Sequence, residues 1–176
     1  MTTFAADFTL TAELVYAPCG FAYSAPIPEP ESSDYGAHEF TLDDRTVRFR
    51  TAKITPTKPG QFVTVWKRPP GGGPIAPFDT TDPIDLFVIS TRDAHNFGQF
   101  VFPTAILAHH GVVSTPDHPG KRAFRVYPPW VTPANRQAEK AQSWQTDYFL
   151  PVDATLDLAR AQALYAAPPT LAPTRN

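Results

Sequence analysis

The stretch RFRTAKITPTKPGQFVTVWKR (48–68) alternates apolar and basic side chains and is interrupted by one turn rich in proline and glycine. In an extended chain, Phe49 and Thr51 fall on one face, while Arg48 and Arg50 fall on the other. Two basic strands are therefore expected to lie next to each other. The predicted elements are a strand over 46–53, a turn over 55–60 and a second strand over 62–68.

The rest of the chain adds further strands and several short helices. The run DLFVIST (85–91) is apolar on both faces, which is typical of a central strand. Several loops between strands are too short for a crossover, so we expect an α+β domain with a mixed, largely antiparallel sheet of about five strands flanked by helices. The other predicted elements are strands at 97–102 and 123–127, and helices at 4–16, at 105–110, from Thr132 and from Asp153.

Size and composition indicate a single folded domain. The 176 residues include 42% hydrophobic and 12% aromatic side chains, which supply a core and exclude disorder of the whole chain. Cys19 is the single cysteine, which excludes an internal disulfide. No signal peptide or membrane-spanning run is visible, so a cytoplasmic protein without a membrane partner is expected. The predicted division is an N-terminal helix and proline-rich connector (1–34), a main domain (35–150), and a C-terminal helix with a loose tail (151–176).

Charge is segregated along the chain, although the net charge is only −2. Residues 1–44 contain eight acidic side chains and no Lys or Arg, and residues 45–68 contain seven basic side chains and no acid. Such blocks are the trace of a basic face that the total charge hides. They are equally consistent with acids and bases that pair across the fold.

Five motifs, in order, resemble the MepB family. They are YGAHEF (35–40), RFRTAKITPTKPGQFVTVWKR (48–68), GQFVFP (98–103), KRAFRVYPPW (121–130) and QSWQTDYF (142–149). This group of bacterial cytoplasmic proteins implies a topology similar to the PD-(D/E)XK nuclease-like fold. It also implies nucleic-acid binding as the role.

The basic residues of the first strand pair and of the 121–125 segment are the candidate phosphate contacts. Neutralising phosphates releases counterions, so even a contact that ignores sequence gains affinity at low salt. Nucleic acid, with DNA as the expected form, is therefore the predicted partner, and no protein partner is identified. The alternative is that these cations only maintain solubility and protect strand edges. The candidates are Arg48, Arg50, Lys53, Lys58, Lys67, Arg68, Lys121 and Arg125.

A second hypothesis is a Mg²⁺-dependent phosphodiesterase with a rearranged PD-(D/E)XK site. Such an enzyme needs carboxylates that hold the metal and a lysine two residues after an acid. Lys53 is in the expected position, but Thr51 stands where the acid is needed. Glu39 and Asp85 are candidates to supply carboxylates from elsewhere. Because the motif is incomplete, binding without catalysis is favoured, and no metal or cofactor is expected outside this alternative.

A third hypothesis is a protein-interaction module. In this case the acidic N-terminal segment docks on a basic partner or folds over the chain's own basic strands.

Overall fold

The computed structural model describes residues 2–166, which form eleven strands and four α-helices. The predicted tail at 168–176 lies outside these residues. The strands are β1 (Ile27–Pro28), β2 (His38–Leu42), β3 (Arg45–Thr51), β4 (Lys53–Ile54), β5 (Gln61–Thr64), β6 (Trp66–Lys67), β7 (Ala76–Pro77), β8 (Leu86–Arg92), β9 (Phe97–Pro103), β10 (Ala123–Val126) and β11 (Phe149–Pro151). The helices are α1 (Thr3–Thr11), which a π-helical turn (Ala12–Tyr16) continues, α2 (Thr104–His109), α3 (Arg136–Gln145) and α4 (Leu158–Tyr165).

A six-stranded sheet in the order β1-β2-β3-β8-β9-β11 forms the centre of the molecule. Only the pairing of β3 with β8 is parallel, and the other four pairings are antiparallel. All residues of β8 except the last are buried, because helices or a second sheet cover both faces. The α+β class with a mixed, largely antiparallel sheet is therefore confirmed, with six strands in the main sheet and two smaller sheets beside it.

One face of the main sheet packs against the two ends of the described chain. Tyr16 from the π-helical turn and Tyr165 from α4 are fully buried against Val47 and Val88. A chain of side-chain hydrogen bonds joins these elements: Tyr16 donates to Tyr165, and Tyr165 donates to Gln99 of β9. The terminal helices thus share a core with the strands.

The opposite face carries a three-stranded sheet in the order β10-β5-β4, together with α2 and α3. Phe87 and Phe100 of the main sheet pack here with Val63 of β5 and Val126 of β10. Because β10 lies next to β5, the 55–60 turn between β4 and β5 lies beside β10 and near α3. This corner of the small sheet forms the candidate site described below.

The basic strand pair expected from the sequence forms only next to its turn, where Lys53 of β4 pairs with Phe62 of β5. β3 pairs with β2 and β8 in the main sheet, whereas β5 pairs with β4 and β10 in the small one. The strand predicted at 62–68 breaks at Val65, and its second part, β6, pairs with β7 in a separate ribbon. This break could not be predicted, because Val65 continues the alternation of the strand pattern.

Two helices start later than expected, because a different side chain caps each one. In α3 the Asn135 side chain accepts a hydrogen bond from the Ala138 amide, so the cap is not Thr132. In α4 the Asp157 carboxylate caps the Ala159 and Arg160 amides. Asp153 instead binds Thr155 in a tight turn before the helix. Helices predicted at 4–16 and 105–110 are confirmed within a residue or two.

Within residues 2–166, the helices are all too short or too polar to cross a membrane.

Candidate functional site

Arg50 does not reach the surface, although the sequence places it on a basic strand face. Its side chain is 1% exposed, and its guanidinium contacts the Glu29 carboxylate and donates to the carbonyls of Phe49 and Thr64. Burial lowers the pKa of the Arg50 guanidinium, and Glu29 opposes this effect. A phosphate contact by Arg50 would require breaking a buried ion pair, so this residue leaves the candidate set.

Arg48, Lys67 and Arg68 line a cleft in which carboxylates neutralise their charge. Arg48 Nη1 lies 2.8 Å from Glu29 and 2.9 Å from Glu39, and Arg68 Nε donates to Glu31 over 2.6 Å. Lys67 Nζ lies 2.8 Å from both Asp79 and Asp82. We call this region the ion-paired cleft. Its charged lining residues are Glu29, Glu31, Glu39, Arg48, Lys67, Arg68 and Asp82.

The hydrogen bonds between Lys67 and its carboxylate partners shift the pKa values of Lys67 and Asp79. Burial raises the pKa of Asp79, but hydrogen bonds from Lys67 and Thr81 outweigh it and bring the value to about 2. Burial lowers the pKa of Lys67, and its bonds to Asp79 and Asp82 more than reverse this effect. The Asp79 carboxylate and the Lys67 ammonium both stay charged at neutral pH, and their charges compensate each other. The cleft therefore offers little free positive charge to an anion.

A second depression, of about 410 Å³, is also lined by basic side chains, but their neighbours differ from those in the ion-paired cleft. Lys58 comes from the 55–60 turn, Lys121 from the segment before β10, and Arg125 from β10 itself. We call this depression the basic groove. Among the described residues that line it there is no Asp or Glu. Three cationic side chains therefore converge without a carboxylate between them.

Local packing fixes the turn that carries Lys58. Gly60 has a φ of +80°, a conformation that side chains rarely adopt, and a Cβ there would lie 2.7 Å from the Tyr127 ring. Arg125 reaches back to the same turn, where its guanidinium donates to Thr55 Oγ1 over 2.5 Å and to the Pro59 carbonyl over 3.3 Å. The turn and β10 are thus held as one wall of the groove.

Helix α3 forms the opposite wall. Its groove side presents small residues, among them Ala138 and Ala141, and its first turn is capped by Asn135. The buried Gln145 side chain joins the walls, because its oxygen accepts from the Tyr127 amide over 2.8 Å and its nitrogen donates to the Arg125 carbonyl over 2.9 Å. The amino-terminal end of α3 adds a positive partial charge at the rim.

An aromatic stack lies at one end of the groove. The His110 ring lies parallel to Trp144, with centroids 3.9 Å apart and an interplanar angle of 5°. Burial lowers the pKa of His110, and the charges of His109 and Lys140 lower it further. The lowered pKa favours the uncharged imidazole, which presents a flat ring beside the cations.

Comparison with known proteins assigns the fold to a family. The family model described as MepB-like matches residues 29–151. The chain belongs to the MepB-like family. The chain in a crystal structure of MepB is 32% identical to this one and superposes with a TM-score of 0.73, over 88% of this chain and 100% of that chain. A search of curated proteins found no match.

The nuclease candidates of this MepB-like chain lie far apart. Asp85 accepts from the Thr46 amide at the start of β3, whereas Lys53 follows the far end of that strand. At about 3.3 Å per residue, Thr46 and Lys53 are roughly 20 Å apart along the chain. Glu39 lies on the neighbouring strand and pairs with Arg48. In the described part of the chain, moreover, no three His, Cys, Asp or Glu side chains form a group that could hold a metal ion.

Lys53 lies outside the groove, and the groove contains one aromatic contact that the sequence did not predict. Lys53 is exposed on β4, where its ammonium lies 4.5 Å from the centre of the Tyr35 ring and outside the residues that line the groove. The contact between His110 and Trp144 was not expected, because 34 positions separate them and only Trp144 lies in one of the quoted motifs, QSWQTDYF (142–149). The basic neighbours in KRAFRVYPPW (121–130) were the signal that pointed to this corner of the fold.

Proposed function

We propose that this MepB-like protein binds nucleic acid, with DNA as the expected form, by holding phosphates in the basic groove. One observation carries the proposal: Lys58, Lys121 and Arg125 converge on a concave site whose described lining contains no carboxylate. Cations that keep their charge available attract a polyanion and release its counterions. The role is binding, and no catalytic step is assigned.

Each cation has a distinct task in the proposed site. Lys58 and Lys121 are exposed, and lysine side chains have flexible stems. Each ammonium therefore acts as a point charge that adjusts to the position of a nucleic-acid phosphate. Arg125 is held by Thr55 and the turn carbonyls, so its planar guanidinium is oriented before a phosphate arrives. The proposed contacts are therefore these three, and Arg48, Arg50, Lys67 and Arg68 are assigned to internal ion pairs.

The alternative of a solubility role makes a different prediction. Cations that only protect strand edges act wherever they lie on the surface, and the loss of any two of them has a similar effect. A binding groove depends on particular positions. We therefore compare the nucleic-acid affinity of two variants. One variant loses two cations from the groove, and the other loses two cations from the ion-paired cleft.

The test is a fluorescence-anisotropy titration of labelled single- and double-stranded DNA and RNA at two salt concentrations. We expect binding that weakens with salt. In Lys58→Gln/Lys121→Gln, affinity at low salt falls about tenfold, and the slope of log affinity against log salt becomes shallower by about 1.5 to 2, because two phosphate contacts are lost.

The matched control is Lys67→Gln/Arg68→Gln, which removes the same formal charge from the ion-paired cleft. Its affinity stays within about twofold of the unsubstituted protein, since these cations are already neutralised. Equal losses in both double variants would contradict the groove, and no binding at low salt would reject the function. Repeating the titration with Mg²⁺ and checking the labelled strands for cleavage tests the phosphodiesterase hypothesis, which the separation of Lys53 and Asp85 does not favour.

A further inference from the structure

The basic groove has an aromatic end that phosphate binding alone does not use. Trp144 packs on the fully buried Phe102, with ring centroids 5.4 Å apart, and His110 lies flat on Trp144. The stack thus runs from the core outward to the partly exposed His110, and the exposed His109 ring packs against His110 at an angle of 86°, with centroids 4.8 Å apart. A flat ligand that entered the groove would extend this stack.

The groove does not end at His110. A second depression of about 390 Å³ also borders His110 and is lined by Ala108, His109, Gly111 and His118. His110 is the residue that both depressions share. A chain-like ligand that occupied both would pass over this ring, with one part among the cations and the next part beyond the imidazole.

We infer that the basic groove takes a single-stranded segment of nucleic acid, with one unpaired base stacked on His110 and the adjoining phosphates on Lys58, Lys121 and Arg125. This inference rests on the proposed function and narrows its ligand. Bases within a duplex are covered by their neighbours, so only an unpaired base offers its face to a protein ring. A flexible single strand also brings its phosphates into a recess.

The chemistry of the stack fits a base of either DNA or RNA. Because the lowered pKa of His110 favours the uncharged ring, the stack presents a π-face like those of aromatic residues that bind bases. Stacking tolerates every base, since each one has a π-face. We therefore expect a preference for single strands without a strict sequence preference.

The experiment compares four labelled probes of equal length at pH 8: oligothymidine, a strand of abasic sites, oligouridine and a DNA duplex. The abasic strand keeps the phosphates and lacks the bases. We expect oligothymidine to bind about tenfold more tightly than the abasic strand. Oligouridine lacks the thymine methyl group and carries the ribose 2′-hydroxyl, and we expect it to bind within a few fold of oligothymidine because stacking needs neither group. The duplex binds no better than the abasic strand.

Two variants assign this difference to the ring. His110→Ala is expected to lower the affinity for oligothymidine to that for the abasic strand, while the abasic affinity stays unchanged. His110→Phe keeps a flat ring and restores the difference, which a change in charge or a folding defect would not do. Lys58→Gln/Lys121→Gln weakens all four probes together.

The outcomes separate the two proposals. Equal, salt-sensitive affinity for oligothymidine and the abasic strand, or tighter binding of the duplex, overturns the stacking inference and leaves phosphate binding in place. A difference that persists in His110→Ala also overturns it. The absence of binding to every probe at low salt rejects both the inference and the proposed function.

Discussion

The basic groove and the ion-paired cleft each present three cationic side chains, yet their electrostatic character is opposite. In the groove, Lys58, Lys121 and Arg125 stand among neutral residues. In the cleft, three cations stand among four carboxylates, and each cation lies within hydrogen-bonding distance of at least one of them. Positive residues thus indicate a binding surface only where the fold leaves their charge uncompensated.

For Arg48, Arg50 and Arg68 the difference arises from the acidic N-terminal segment, whereas Asp79 and Asp82 neutralise Lys67. The short edge strand β1 pairs with β2 and leads directly into Glu29, whose carboxylate contacts both Arg48 and Arg50. Glu31, two residues later, reaches Arg68. The segment therefore folds over the chain's own basic residues, as one form of the third hypothesis anticipated. No such segment crosses the corner where the 55–60 turn meets α3 in the described structure.

The largest expected effect is the loss of stability when Glu29 is replaced, because its carboxylate pairs with both Arg48 and Arg50. In Glu29→Gln the Arg50 guanidinium stays buried without its carboxylate, so we expect the free energy of unfolding to fall by about 3–5 kcal/mol. Urea denaturation followed by tryptophan fluorescence measures this loss. Glu31→Gln is the control, because its partner Arg68 is half exposed, and a loss of at most about 1 kcal/mol is expected. Equal losses in the two variants would show that burial does not distinguish these pairs.

The next effect tests whether an added carboxylate makes the groove resemble the cleft. Gln137 lines the groove and is exposed, so Gln137→Glu places a negative charge among the three cations. We expect affinity for a labelled single strand at low salt to fall about fivefold. Gln162→Glu adds the same charge on α4, away from the groove lining, and serves as the control. A similar loss from both changes would mean that only net charge matters.

A smaller effect is expected when a cleft cation is released. Glu31→Gln frees the Arg68 guanidinium, which is partly exposed, and should raise low-salt affinity for nucleic acid about twofold. Anisotropy titrations compare this variant with Glu13→Gln, which removes one exposed acid from the π-helical turn. If the control gains as much, the increase reflects net charge, and the pairing of Arg68 has no special role.

The last prediction concerns the acid titration of the Lys67 pairs. Because the pKa of Asp79 is lowered from 3.8 to about 2, its contribution is present above 3.8 and is lost as pH falls through about 2. Lys67→Gln removes the hydrogen bond and should return the pKa of Asp79 toward 3.8. Carbon-13 NMR of the carboxyl groups follows this titration in both proteins. A pKa still near 2 in the variant would assign the shift to Thr81 instead of Lys67.

Local patterns were sufficient for most secondary structure. The fully apolar run at 85–91 became the central β8, and the short helix before Gly111 became α2, because neighbouring residues alone set these periodicities. Caps were less predictable, since Asn135 and Asp157 competed with earlier candidates of the same chemistry. The break at Val65 left no local trace, because the two parts of the strand pattern join different sheets.

Some features of the candidate site could likewise be predicted from the sequence, and others could not. By itself the sequence determined the α+β class, the MepB resemblance and the presence of basic residues at 48–68 and 121–125. Only the tertiary structure decided which of these cations remain available, because the acid that neutralises Arg50 lies 21 positions away and the ring that supports His110 lies 34 positions away. Electrostatic compensation and stacking depend on distances in space of a few ångströms, and periodicity along a chain carries no record of them.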